Sequence, residues 1–89
     1  MAPLKSADGY ILMATGLHKE TQEDDLLDEF GEFGKVRNLH LNLDRQTGFV
    51  KGYALIQYET LKEAERAIKA IDNTPFLGQV VRVGFAFEK

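Results

Sequence analysis

The 89-residue chain contains no cysteine. That absence removes disulfides, thiolate zinc sites and a cysteine nucleophile from consideration, and it leaves the compartment undecided on redox grounds. Long apolar runs are missing too. Nothing approaches the roughly 18 residues needed to cross a bilayer, and the opening MAPLKSADG lacks the apolar stretch of a signal peptide. A soluble intracellular protein without membrane contact is expected. Positive charge is in short supply, with 11 Lys and Arg against 14 Asp and Glu and a formal net charge of -3. Nucleic-acid binding draws much of its strength from Lys and Arg that release counterions from phosphates, so this balance weighs against it. Yet Glu23, Asp24, Asp25, Asp28 and Glu29 crowd into one short segment, which leaves room for basic patches elsewhere. Histidine is scarce as well. His18 and His40 stand without clustered carboxylates or thiols and read as surface or loop residues, so no metal and no cofactor is expected. No Ser-His-Asp set or framed carboxylate pair offers catalytic machinery, and no enzymatic activity is expected.

What is present has the proportions of one small globular domain, 44% hydrophobic and 28% charged. Tyr10 to Leu17 (YILMATGL) is an apolar run of strand length. Thr21 then opens TQED, a near capping box with Asp24, and Leu26, Leu27 and Phe30 are expected on one face of a first helix that Gly31 and Gly34 close. Val36 to Leu43 alternates, with Leu39 and Leu41 inward and His40 and Asn42 outward, and Asp44 to Gly48 (DRQTG) reads as a loop. Residues 51 to 58, KGYALIQY, alternate a core-type set (Gly52, Ala54, Ile56, Tyr58) with a mixed set (Lys51, Tyr53, Leu55, Gln57), the period of a strand covered on one side. Thr60 and Glu63 form a second capping box, Ala64, Ala67, Ile68 and Ile71 recur at helical spacing, and Asn73 and Pro75 end that helix. Gly78-Gln79 turns into VVRVGFAF, residues 80 to 87, where Val81, Val83 and Phe85 share a face.

The order β-α-β-β-α-β predicts a ferredoxin-like α+β fold, a four-stranded antiparallel sheet with two helices on one face and the other face open. The domain is expected to fill residues 10 to 87, with residues 1 to 9 as a flexible lead-in. The acidic run of the first helix lacks the alternating ligands and glycine of a calcium loop and reads as a solvated helix face suited to the helix dipole. GEFGK, residues 31 to 35, is too short for a phosphate loop and has Val36 where Ser or Thr would hold magnesium.

Two segments on the central strands resemble the paired signatures of the RNA recognition motif. Lys51 to Tyr58 follows the longer signature at every position but the fifth, which is Leu55, and Leu12 to Leu17 follows the shorter one with Met13 and Gly16 in place of its usual aromatic and Asn. Domains of that family hold single-stranded RNA by stacking bases on aromatics at three outward positions, each stack worth roughly 1–3 kcal/mol. Here those positions are Met13, Tyr53 and Leu55. One aromatic remains, and two missing stacks weaken RNA binding by roughly 2–6 kcal/mol. Met13, Tyr53 and Lys51 are the candidate RNA contacts. Ile11, Met13, Tyr53 and Leu55 instead suggest an apolar patch rimmed by Lys51, Gln57, His40, Asn42 and Arg82, the composition of a protein interface.

HLNLDRQTGFVKGYALIQYET (residues 40 to 60), GYILMATGL and GQVVRVGFAF further resemble the exon-junction-complex subunits that pair with Mago nashi, the Tsunagi family. That resemblance implies a heterodimer in which the sheet face binds Mago rather than RNA. It also implies contact with an RNA helicase and other complex members on spliced mRNA, which is itself held mainly indirectly, and a nuclear protein that shuttles to the cytoplasm. The chain departs from the family in Met13 and Ala14, where a Phe-Val pair is expected, and in Phe85, where a Trp is expected. Arg45, Thr47 and Phe49, around the Gly48 turn, are the expected contacts for a secondary partner.

Overall fold

The structure is a computed structural model that describes residues 5–6 and 9–87. Its elements are β1 (Lys5–Ser6), β2 (Gly9–Thr15), α1 (Glu23–Phe30), β3 (Val36–Leu43), β4 (Val50–Tyr58), α2 (Leu61–Ile71), β5 (Thr74–Phe76) and β6 (Gln79–Phe85). The strands form one antiparallel sheet in the order β3-β4-β2-β6-β5, with β1 beside the start of β2. This is the expected ferredoxin-like plan with two short strands added. Most of the expected lead-in, residues 1–4, 7 and 8, lies outside the described residues. Of the remainder, Lys5 and Ser6 pair with Tyr10 and Gly9.

Strand alternation divides the sheet into two faces. Leu12 and Ala14 of β2, Ala54, Ile56 and Tyr58 of β4, and Val81 and Val83 of β6 turn toward the helices, where they meet Leu26 and Phe30 of α1 and Ala64, Ala67 and Ile71 of α2. Burying each larger member of this set stabilises the fold by roughly 1.5–3 kcal/mol. Tyr58 is fully buried, and its hydroxyl donates to the Phe30 carbonyl at 2.6 Å, which also accepts from the Phe33 N–H at 3.2 Å and so ends α1 with two partners. Burial pushes that phenol well above the usual tyrosine range, with the Glu63 charge a smaller influence.

Both helices begin with a box, one of them displaced from its expected place. Thr60 and Glu63 cap α2 as the sequence predicts, the Glu63 carboxylate accepting from the Thr60 hydroxyl at 2.8 Å and from its N–H at 3.1 Å. The same carboxylate reaches the Lys35 N–H at 3.3 Å, across a space that a Cβ on Gly34 would occupy. GEFGK therefore has a structural explanation. For α1 the cap is Gln22 rather than Thr21, and the acid that accepts from its N–H is Asp25, at 2.9 Å, rather than Asp24. Thr21 is instead buried, donating its hydroxyl to the His18 carbonyl at 2.7 Å and so tying the preceding turn. Leu27, expected beside Leu26 and Phe30, is exposed, because one step along a helix turns a side chain away from the face its neighbour occupies.

Three further expectations are corrected. Gly52 is exposed, not core, with φ of 87° in a bulge where the β3–β4 register shifts between Leu41 and Leu43. Asn42 spans that bulge by donating to the Lys51 carbonyl at 2.6 Å. Residues 74–76 form β5, and the Leu77-Gly78 turn, with φ of 50° and 83°, joins it to β6 as a tight hairpin. Pro75 is tolerated because β5 is an edge strand. The last strand ends at Phe85, and Phe87 is exposed.

Candidate partner-binding face

The helices leave one face of the sheet uncovered, and register decides which side chains meet there. Ile11 stands opposite Gln57, Met13 opposite Leu55 and Thr15 opposite Tyr53 across β2 and β4. On the outer strands, Asn38 pairs with Gln57 and His40 with Leu55, while Gly84 pairs with Met13 and Arg82 with Thr15. The middle row thus runs His40, Leu55, Met13, Gly84 across four strands. Ile11, Met13, Tyr53 and Leu55 are all half-buried, which in an isolated domain leaves an apolar strip along the two central strands. Direct cross-strand neighbours of this kind support one another and present one continuous surface.

Two shallow depressions flank the Met13–Leu55 pair. One, of about 90 Å3, is bounded by Ile11, Asn38, His40, Leu55 and Gln57. The other, of about 270 Å3, is bounded by Met13, Thr15, Arg82, Gly84 and Phe85. The sequence reading missed Thr15, Asn38 and Gly84, although strand alternation from Met13, His40 and Arg82 carries the signal for all three. Gln57 belongs to the face but keeps only 9% of its surface, so it is a floor residue rather than an outlying contact.

Of the two cations on the rim, Arg82 is ion-paired. Arg82 Nε lies 3.0 Å from Asp72 Oδ1, and the same oxygen accepts from the Val83 N–H at 2.8 Å. Those two bonds, the backbone one foremost, hold the Asp72 carboxyl below the usual carboxylate range. Lys51 sits within electrostatic reach of Asp44, whose carboxyl is also held low, chiefly by the Thr47 and Gln46 N–H groups and in part by that ammonium. Among the described residues no three His, Asp or Glu side chains gather where they could hold a metal ion.

The loop after β3 is a separate feature. Asp44 Oδ1 accepts from Gln46 N at 2.8 Å and Thr47 N at 3.0 Å, and Gly48, at φ of 76°, returns its N–H to the Asp44 carbonyl at 2.9 Å. Arg45 and Thr47 are exposed, with the Thr47 hydroxyl accepting from Phe49 N at 3.2 Å. Phe49 is exposed as well, and its ring carries the Lys19 ammonium 5.1 Å from the centroid. The loop is thus braced from within and against the β2–α1 connection, and it is remote from the Met13–Leu55 row.

The RNA recognition motif model matches residues 12–82, a span that contains both helices and the three strands carrying most of the open face. The chain belongs to the RNA recognition motif family. Over 85 residues it is 51% identical to RNA-binding protein Y14 of Arabidopsis thaliana, covering 96% of this chain and 42% of that protein. It is also 52% identical over 87 residues to an uncharacterized RNA-binding protein of Schizosaccharomyces pombe, covering 98% of this chain and 71% of that one. The chain therefore spans less than half the length of the plant relative. These similarities support the Tsunagi-like, or Y14-like, assignment within the family. Among solved structures, a Sex-lethal protein–RNA complex matches with a TM-score of 0.81 and 32% identity over 86% of this chain and 47% of that one. The Rna15 domain with bound RNA (GU) matches with a TM-score of 0.82 at 24% identity, over 90% and 85% of the two chains, and shows the shared fold.

Proposed function

We propose that this domain is a protein-binding RNA recognition motif whose open sheet face pairs with Mago nashi. The heterodimer would work within an exon junction complex with an RNA helicase, in the processing, export and surveillance of spliced mRNA. The observation that carries the reading is the middle row of the face, where Leu55 and Met13 stand opposite each other in place of two stacking aromatics. The net charge of -3 adds to it, as does the pairing of Arg82 with Asp72, since phosphate neutralisation is what RNA affinity needs most. Similarity to the Y14 protein supports the same reading. On it, Ile11, Met13, Tyr53 and Leu55 are anchors, and His40, Asn42, Gln57 and Arg82 surround them. Arg45, Thr47 and Phe49 form a second surface for other complex members, the domain has no enzymatic role, and the protein resides in the nucleus and shuttles to the cytoplasm.

A conventional single-strand RNA-binding role through Tyr53, Met13 and Lys51 is the second reading. The names of both close relatives and the retained Tyr53 favour it. Calorimetric titration of the chain against purified Mago nashi and against short single-stranded RNAs at physiological salt separates the two. The proposal expects tight binding to Mago and weak, unselective binding to RNA. Tight, sequence-selective RNA binding without affinity for Mago would overturn it.

A further inference from the structure

Of the chain's eight glycines, seven are accounted for by the fold: five have a positive φ, and a Cβ at Gly31 or Gly34 would strike the Leu27 carbonyl or the Glu63 carboxylate. Gly84 is different. Its φ lies outside the left-handed region, and a Cβ there would meet nothing within 4 Å. Yet it stands inside β6, opposite Met13. Glycine within a strand has no side chain to pack and loses the most conformational freedom on folding, so the fold alone favours other residues at this place. What glycine supplies is empty volume. It forms the floor of the depression of about 270 Å3 beside Met13, and a larger side chain would fill that space.

We propose that this depression is the anchor pocket of the face, that it receives one bulky uncharged side chain, an aromatic one, from the protein partner, and that Gly84 determines specificity by keeping it open. The inference rests on the protein-binding reading above. The Met13 thioether and the exposed Arg82 guanidinium wall the pocket with groups that suit an aromatic ring. Asp72 also lines the pocket and pairs with Arg82 at 3.0 Å, so the wall holds one charge of each sign and no net charge. A wall without net charge suits an uncharged aromatic side chain and gives a phosphate-bearing nucleotide no electrostatic advantage.

The test uses the 89-residue chain carrying Gly84→Ala, Gly84→Leu or, as a control for the face as a whole, Leu55→Glu. Each is titrated against purified Mago nashi and a short oligouridine, with melting curves alongside. Gly84→Leu is expected to lose at least about tenfold in affinity for Mago, the typical consequence of overfilling a packed site. Its RNA affinity and melting temperature should hold. Gly84→Val, whose branched side chain suits a strand, is read in the same way should Gly84→Leu fail to fold. If the Gly84 variants bind Mago like the parent while Leu55→Glu does not, the pocket is empty in the complex and the proposal is overturned with the face reading intact. If Leu55→Glu also binds normally, both fall. A loss confined to RNA would assign the pocket to a base, and a melting temperature lowered by Gly84→Ala would mean that the fold itself needs glycine; either result overturns the proposal.

Discussion

Met13 and Leu55 stand directly opposite each other on β2 and β4, at the centre of the face that the helices leave open. In an RNA-binding member of this fold both places are stacking platforms, so the pair is the point at which protein binding and RNA binding diverge. Met13→Phe with Leu55→Phe should therefore raise affinity for short single-stranded RNA. At roughly 1–3 kcal/mol per added stack, the double variant gains tenfold or more. Fluorescence titration with labelled oligonucleotides checks this. An unchanged affinity would show that missing aromatics are not what limits RNA binding.

Gly34 and Glu63 test a different relation, one that holds α2 to the turn after α1. Gly34→Ala would push the Glu63 carboxylate off the Lys35 N–H and out of its box with Thr60. Glu63→Ala removes the same bonds directly. Each substitution should cost about 1 kcal/mol, the usual worth of a helix cap. The double variant should cost little more than either alone, because both remove one shared interaction. Denaturant melts of the four proteins give the cycle, and simple additivity would contradict the shared cause.

Acid should weaken the fold through the same groups. The Thr60 hydroxyl and the Thr60 and Lys35 N–H groups hold the Glu63 carboxyl below the usual range, and the Val83 N–H and Arg82 do so for Asp72. A folded-state pKa below the unfolded one means that the stabilisation is complete above the unfolded pKa, about 4, and is lost as pH falls toward the folded value. Asp72→Asn should lower stability at neutral pH and flatten its decline in acid. Melting temperatures of parent and variant, followed downward from pH 6, would reveal this as converging curves. Parallel curves would show that Asp72 contributes nothing to the acid response.

Features that depend on local period or local chemistry were legible in the sequence. Leu12 and Ala14 against Met13, and Ala54 and Ile56 against Leu55, follow from alternation alone, and the Thr60–Glu63 box follows from spacing. The features that were not legible arise from irregularity or distance. Alternation assumes a constant register, and the bulge at Gly52 breaks it. Pro75 and a Leu77 at φ of 50° disguise a hairpin, since neither is the residue that a tight turn between strands prefers. The pairing of Arg82 with Asp72, and the clearance that Gly34 gives Glu63, join residues whose meeting only the tertiary fold arranges. For the candidate face, the sequence therefore identifies the central anchors better than it identifies the charges around them.

The most direct test of the account is calorimetric titration of Leu55→Glu against purified Mago nashi, with Ala67→Glu as the folding control. Leu55 lies on the open face, so its replacement should leave circular dichroism and cooperative melting nearly intact, whereas Ala67 is fully buried on the core face of α2 and its replacement should unfold the domain. In the complex, losing a buried Leu forfeits roughly 1.5–3 kcal/mol, and burying an unpaired carboxylate adds a larger penalty. The account predicts that a folded Leu55→Glu loses at least about two orders of magnitude in affinity. A folded Leu55→Glu that binds Mago as tightly as the parent would contradict it and return the face to RNA.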